Sequence, residues 1–220
     1  MEQKNLFCMW SGGHDSCLAL YYAQKTNHVK CIITPIMETN VGYRSQGLSP
    51  HILRAQADLL EIPLLIFNTS FQEFEKNYEM TIASLKKHKI EGGFYSEITQ
   101  EERKHLNEII CERQNMKGFF PLWQKSKEAA LSELLELGFK AKIIAINEKN
   151  LTRDFLGKNL DKDIIEEFRN RKIDIWGENG EFQTILHEAP FFKENLILKE
   201  GDINLRNGYW ALDISIVNAN

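Results

Sequence analysis

Two short glycine-containing stretches hold most of the chemistry this chain can offer. The first is Trp10-Ser11-Gly12-Gly13-His14-Asp15-Ser16. It lies between an apolar run and a helical pattern, so its backbone N–H groups meet the positive end of a helix. Paired glycines let the main chain approach a ligand closely, and Ser11 and Ser16 add hydroxyls. Together these make an anion cradle suited to phosphate. It is neither the Walker loop, which needs Gly-x-x-x-x-Gly-Lys, nor the dinucleotide Gly-x-Gly-x-x-Gly. The same residues also suit a plain strand-to-helix turn capped by Ser or Asp, and the chemistry alone leaves both readings open.

The second stretch, Gly177-Glu178-Asn179-Gly180-Glu181-Phe182-Gln183-Thr184, follows Ile173–Trp176. Two carboxylates around a glycine turn repel phosphate and suit an ammonium group, an amine or amide, or a magnesium ion. Asn179-Gly180 is also the preferred dipeptide of a two-residue hairpin turn, and periodicity by itself favours the hairpin. The four cysteines, Cys8, Cys17, Cys31 and Cys111, form no Cys-x-x-Cys pair, and the six histidines form no His-x-x-x-His pair. The cysteines therefore read as buried free thiols of a reducing compartment.

The elements that must position these loops alternate along the chain. Leu6–Trp10, Lys30–Met37, Pro63–Asn68, Gly92–Ile98, Gly118–Trp123 and Ala141–Asn147 read as strands. Between them Ser16–Gln24, Pro50–Leu60, Phe71–Lys87, Gln100–Glu112 and Lys127–Leu137 show helical spacing. Strands that are apolar throughout imply a sheet covered on both faces, and strand–helix–strand order makes it parallel. Ligands then bind at the carboxyl ends of the strands. The tail, with Asn195–Lys199 and Tyr209–Val217 flanking Gly201-Asp202 and Asn207-Gly208, reads as antiparallel β structure. Lys+Arg 27 against Asp+Glu 31 gives a net charge of −4, which speaks against broad nucleic-acid or membrane-surface binding. No apolar run reaches the ~18 residues of a membrane helix, and Met1–Trp10 lacks the apolar stretch of a signal peptide. The expected place is the cytoplasm.

Ser11-Gly12-Gly13-His14-Asp15-Ser16 resembles the Ser-Gly-Gly-Lys-Asp-Ser loop of the N-type ATP pyrophosphatases, the PP-loop superfamily that splits ATP into AMP and pyrophosphate. Gly177 to Thr184 resembles the Gly-Glu-Gly-Gly-Glu-(Phe/Tyr)-x-Thr signature of the diphthine–ammonia ligase family within it. Gln56-Ala57 with Ile62-Pro63-Leu64, Pro121-Leu122-Trp123, Leu156-Gly157-Lys158 with Leu160-Asp161, and Ala189-Pro190-Phe191-Phe192 agree in the same order. The likeness runs from about Leu6 to Phe192. The Gly-Glu-Asn-Gly-Glu-Phe form of the second loop is similar to the bacterial branch, which lacks diphthamide and so acts on another acceptor.

The resemblance implies an α/β fold, a Rossmann-like (HUP-type) parallel sheet with a smaller C-terminal α/β domain. Residues 1–122 would form the ATP-binding PP-loop domain and 123–220 the substrate domain, with the active site in the cleft between them. It implies an AMP-forming ligase that uses ATP and Mg2+ to adenylate a carboxylate or carbonyl of a small molecule or protein side chain. Ammonia or an amine then displaces AMP to leave an amide. Ser11, Gly12, Gly13, His14, Asp15 and Ser16 would hold ATP, with backbone groups at Ile36 and Met37 against the adenine. Gly177, Glu178, Asn179, Gly180, Glu181 and Thr184 would line the substrate or ammonia site, with His14, Asp15, Glu178 and Glu181 catalytic. A homodimer stays open.

Two departures stand out. His14 occupies the place of the family's lysine, a fixed cation worth about 1.5–3 kcal/mol in a charge-assisted hydrogen bond. Bound polyphosphate should favour imidazolium, so ATP is expected to bind tighter at pH 6 than at pH 8. Where the eukaryotic and archaeal ligases have a Tyr-Gln-x-x-Arg-like stretch, this chain has Glu97-Ile98-Thr99-Gln100-Glu101-Glu102-Arg103. Thr99 and Glu102 fit a capping box; Glu97, Glu101 and Arg103 stand at a strand's carboxyl end, where they can face the cleft. Arg44, Gln46 and His51 read as a solvated loop. Both departures suit the alternative of an ATP- or AMP-binding regulatory protein with little turnover.

Overall fold

The structure is a computed structural model that describes residues 3–39, 42–44 and 47–217, with the side chains of 38, 39 and 42–44 left aside. The chain divides into two compact units. The first takes Met1–Ser11, Asp15–Ser45 and Ser49–Gln124; the second takes Gly12–His14, Gln46–Leu48 and Lys125–Asn220.

In the first unit, β1 (Asn5–Met9) leads into α1 (His14–Thr26) and β2 (His28–Thr39), with β3 (Gly42–Arg44) folded back on the end of β2. Next come α2 (Pro50–Leu60), β4 (Leu64–Thr69), α3 (Phe74–Leu85), β5 (Gly92–Phe94), α4 (Glu101–Arg113) and β6 (Lys117–Phe119). Parallel pairing gives the order β4-β2-β1-β5-β6, the expected Rossmann-like sheet. The chain builds outward from β1 to β2 and β4, then returns to place β5 on β1's other side. The order therefore reverses at the carboxyl ends of β1 and β5, where such sheets bind ligands.

Sequence explains these positions. Leu6, Phe7 and Cys8 are fully buried, as a central parallel strand requires. Beside them β5 must be Gly92-Gly93, because a Cβ at Gly93 would lie 2.2 Å from the Phe7 ring. That ring meets Tyr95 edge-on at 5.8 Å, within a core that includes Ile33, Phe67, Tyr78 and Ile110. Helix α2 begins with Ser49 Oγ accepting from the Ile52 N–H at 3.5 Å and Pro50 in its first turn. Two strands stop short of expectation: β5 ends at Phe94 rather than Ile98, and β6 at Phe119 rather than Trp123, where Pro121 cannot donate to a ladder. Helix α4 starts at Glu101 with Gln100 as its N-cap, one residue after the expected Thr99, and the Gln100 side chain makes no cap hydrogen bond. All four cysteines are buried free thiols.

The second unit carries α5 (Lys127–Glu136), β7 (Lys140–Asn147), α6 (Lys162–Asn170), β8 (Phe182–Glu188), β9 (Leu198–Arg206) and β10 (Tyr209–Ile216). Its sheet is antiparallel in the order β8-β7-β10-β9, the smaller C-terminal part. Asn207-Gly208 makes the β9–β10 turn as expected, both with positive φ. Gly201-Asp202 does not turn; both residues sit within β9 opposite the single Asp213, a bulge. Asp161 and Ser126 cap α6 and α5 through the N–H groups of Ile164 and Ala129. Among the described residues no helix is long and apolar enough to cross a membrane.

Candidate functional site

The first glycine loop starts where β1 ends. Gly12 has φ +83°, a conformation glycine adopts without strain. Within the first unit, Asp15 at the start of α1 accepts from Ser11 Oγ at 3.1 Å on one oxygen and from Ser96 Oγ at 3.3 Å on the other. Ser11 Oγ also lies 3.0 Å from the buried Ser16 Oγ. The loops after β1 and β5 are thereby joined at the point where the sheet order reverses. Trp10 is anchored below by its indole N–H to Gln56 Oε1 (3.2 Å) and by Thr34 Oγ donating to its carbonyl (2.7 Å). Ile36 and Met37 lie in β2 beyond the register shared with β1, which stops at Met9 opposite Ile33, and pair on their other side with Asn68 and Thr69.

Glu97 follows β5. Its Oε1 accepts from Asn107 Nδ2 at 2.9 Å, while its Oε2 is buried and has no hydrogen-bond partner among the described residues. Burial pushes this carboxyl up from its ordinary 4.5 to about 7, with the charge of Asp15 adding to the rise. A backbone hydrogen bond, Arg103 and Asn107 oppose it in part. Glu101 and Arg103 are exposed on the first turn of α4. His51 is exposed on α2, Arg44 lies in β3, and Gln46 falls outside the described residues.

The second loop is built differently. Gly177 (φ +69°) and Gly180 (φ +84°) frame a turn closed by the Gly180 N–H on the Gly177 carbonyl at 3.1 Å. Asn179 has no positive φ, so the Asn-Gly hairpin turn, which needs it at both central residues, is not formed. Three carboxylates gather here. Asp174 Oδ2 lies 2.5 Å from Lys127 Nζ, and Glu178 Oε2 lies 3.3 Å from the same ammonium. Asn179 Nδ2 donates to Asp174 Oδ2 (3.3 Å) and Glu181 Oε1 (3.2 Å), and its N–H donates to Glu181 Oε2 (3.1 Å). Desolvation pulls Lys127 down, but its bonds to Asp174 and Glu178 leave it above its usual value. Lys127 and Asp174 are thus parts of this site that motif reading missed. Asp174 sits four residues before Glu178, whereas nothing in the spacing points to Lys127.

Thr184 and His14 come together within the second unit. Thr184 Oγ1 accepts from the His14 backbone N–H at 3.2 Å and lies 2.8 Å from His14 Nδ1. The ring is enclosed by Trp176 and Phe182. The expected members of the second loop are therefore adjacent in space, while Glu101 and Arg103 stand on an exposed helix turn.

Comparison with known proteins gives the family. Residues 4–118 match the diphthamide synthase N-terminal domain and 126–218 the diphthamide synthase C-terminal domain. The diphthine–ammonia ligase of Homo sapiens is 25% identical over 219 residues, covering 88% of this chain and 82% of that protein. The diphthine–ammonia ligase of Schizosaccharomyces pombe is also 25% identical, covering 88% of this chain and 36% of its own length. Among solved structures, a predicted subunit of a tRNA methyltransferase from Methanocaldococcus jannaschii overlays with a TM-score of 0.44 at 14% identity, covering 84% of this chain and 98% of that one. Matched in order by both domains over nearly its whole length, the chain belongs to the diphthamide synthase family.

Proposed function

We propose that the first glycine loop holds the phosphates of ATP and the second receives ammonia and the acceptor. As a member of its family the chain is an ATP-dependent, amide-forming ligase. The regulatory alternative is not favoured. In this reading residues 1–122 form the nucleotide domain and 123–220 the substrate domain. The observation that carries it is the joining of Ser11, Asp15, Ser16 and Ser96 at the point of strand-order reversal.

A carboxylate oxygen of the acceptor attacks the α-phosphorus, and the bond to pyrophosphate breaks with its electron pair leaving on pyrophosphate. Backbone N–H groups of Gly12 and Gly13 and the hydroxyls of Ser11 and Ser16 face the departing charge, and backbone groups at Ile36 and Met37 take the adenine. Ammonia then attacks the acyl carbon, AMP leaves, and the nitrogen gives up a proton. Glu178 and Glu181 are the bases at hand for that proton and for the one ammonium sheds beforehand. Mg2+ bound with ATP would supply charge neutralisation on the phosphates. Among the described residues no group of three or more His, Cys, Asp or Glu side chains could hold a metal ion, so no protein ligand is assigned. The acceptor is a carboxylate on a small molecule or protein side chain, diphthine in the named relatives, and the setting is cytoplasmic. Nucleic acid is not a partner in this reading.

The test is product analysis. Purified protein is incubated with Mg-ATP and ammonium, with and without small-molecule or protein fractions of its own cells. AMP and pyrophosphate should appear together, and only when ammonium and one fraction are both present. ATP binding without AMP in any fraction would overturn the ligase reading.

A further inference from the structure

His14 stands where the resembling loops have lysine, yet it is enclosed by side chains of its own unit. The residue is 6% exposed. Its ring meets Trp176 edge-on with centroids 4.7 Å apart and stacks on Phe182 at 6.1 Å, 20° from parallel. Thr184 Oγ1 serves both its backbone N–H and its Nδ1. A single hydroxyl can do both with a neutral ring: it accepts from the backbone N–H and either donates its own proton to Nδ1 or accepts from it, according to the tautomer. Two residues along β8, the Leu186 N–H donates to the Gly12 carbonyl at 2.8 Å. The tip of the glycine loop is therefore tied to β8 at two places, and neither tie needs a charge.

We propose that His14 is a positioning residue, a neutral ring clipped to Thr184 that fixes the glycine-loop tip on β8, rather than a cation laid on the phosphates. The inference rests on the reading that this loop holds ATP. What the lysine contributes in other chains by charge, His14 contributes by pre-organisation: Gly12 and Gly13 present their N–H groups in one fixed arrangement before the nucleotide arrives. Thr184 thus belongs to the nucleotide loop as much as to the second motif.

Calorimetric titration of ATP separates charge from position. His14→Ala and Thr184→Val should each weaken ATP binding about tenfold, the worth of one well-placed hydrogen bond. The double variant should be no weaker than either alone. His14→Asn can take the hydroxyl proton on its amide oxygen and never ionises, so it should stay within about threefold of wild type. His14→Lys should bind ATP no tighter than wild type. A His14→Lys gain of tenfold or more, a Thr184→Val affinity equal to wild type, or a His14→Asn loss as large as that of His14→Ala would overturn the clip. Thermal melting run alongside reports folding, and if His14→Ala melts early, His14→Asn and Thr184→Val decide the matter. No ATP binding by the wild-type chain would overturn the phosphate-loop reading and the clip with it.

Discussion

Glu97 and Glu178 are both carboxylates drawn out of water beside a glycine loop, and the two units treat them in opposite ways. Around Glu178 the second unit supplies an ammonium: Lys127 lies within 3.3 Å of it and 2.5 Å of Asp174. Around Glu97 the first unit supplies the Asn107 amide, a backbone hydrogen bond and the charge of Arg103, which offset burial only in part, and Oε2 stays buried without a partner among the described residues. The second unit stabilises ionised carboxylates by pairing. The first lets burial move the proton equilibrium to about 7 instead. The unpaired Glu97 changes charge near neutrality, next to the Asp15 that joins the loops after β1 and β5.

The largest expected effect tests the unpaired member. Below the ordinary carboxylate pKa of 4.5, Glu97 carries its proton whether the chain is folded or not, and contributes nothing to the pH dependence. Between 4.5 and about 7 the unfolded chain has released the proton while the folded chain keeps it, so stability falls as pH rises. Above 7 the folded state bears the full cost of an ionised buried group, about 3 kcal/mol at 1.36 kcal/mol per decade. Glu97→Gln should therefore raise the melting temperature by about 6–12 °C at pH 8 and change it little near pH 4.5. Melting curves of both proteins across that range check it; a difference of the same size at every pH would mean that Glu97 is not held neutral.

The paired member should respond next in size. Lys127→Met leaves Asp174 and Glu178, which are 11% and 8% exposed at their side chains, without their ammonium. Breaking a buried pair from one side costs about 3–5 kcal/mol, and with Lys127 partly in water about 2 kcal/mol is expected, a fall of about 4–8 °C in melting temperature. Lys127→Arg, which keeps the charge, should recover most of it. If Lys127→Met melts with wild type at neutral pH and low salt, the pairing does not stabilise this loop, and the contrast with Glu97 fails.

The contrast also marks where sequence reading reaches its limit. The parallel sheet was legible because its strands are apolar throughout, and the first loop because glycines and hydroxyls fall together at a strand–helix junction. Lys127 was not legible, since a lysine in the first turn of a helix reads as solvated and its partner Asp174 lies 47 residues away. Asp174 itself, in Ile173-Asp174-Ile175-Trp176, mimics strand alternation, although that segment turns and the strand begins only at Phe182. Glu97 was placed at a strand's end, but β5 stops at Phe94, and the loop that follows carries its side chain into contact with α4. The enclosure of His14 came from residues far along the chain, whereas the resemblance to a lysine-bearing loop suggested an imidazolium on the phosphates. Local motifs report which backbone approaches a ligand; which charges are neutralised is settled by distant residues, and periodicity does not record those.

The smallest effect asks what holds Lys127 itself in place. Lys127 is the first residue of α5, and the residue before it, Ser126, caps that helix by accepting the Ala129 N–H at 3.1 Å. Ser126→Ala removes one cap and should cost about 1 kcal/mol, read as a lower urea midpoint at unchanged slope. If the cap also fixes the angle at which Lys127 leaves the helix, its loss must loosen the grip on Asp174 and Glu178, and the two substitutions cannot be independent. Ser126→Ala combined with Lys127→Met should then cost less than the sum of the singles by about 0.5 kcal/mol or more. Ser126→Asp, which still caps, should restore the wild-type midpoint and the full cost of losing Lys127. Strict additivity would instead place the organising of this cluster in Asp174 and Asn179, whose hydrogen bonds would hold the carboxylates whether or not the helix end is fixed.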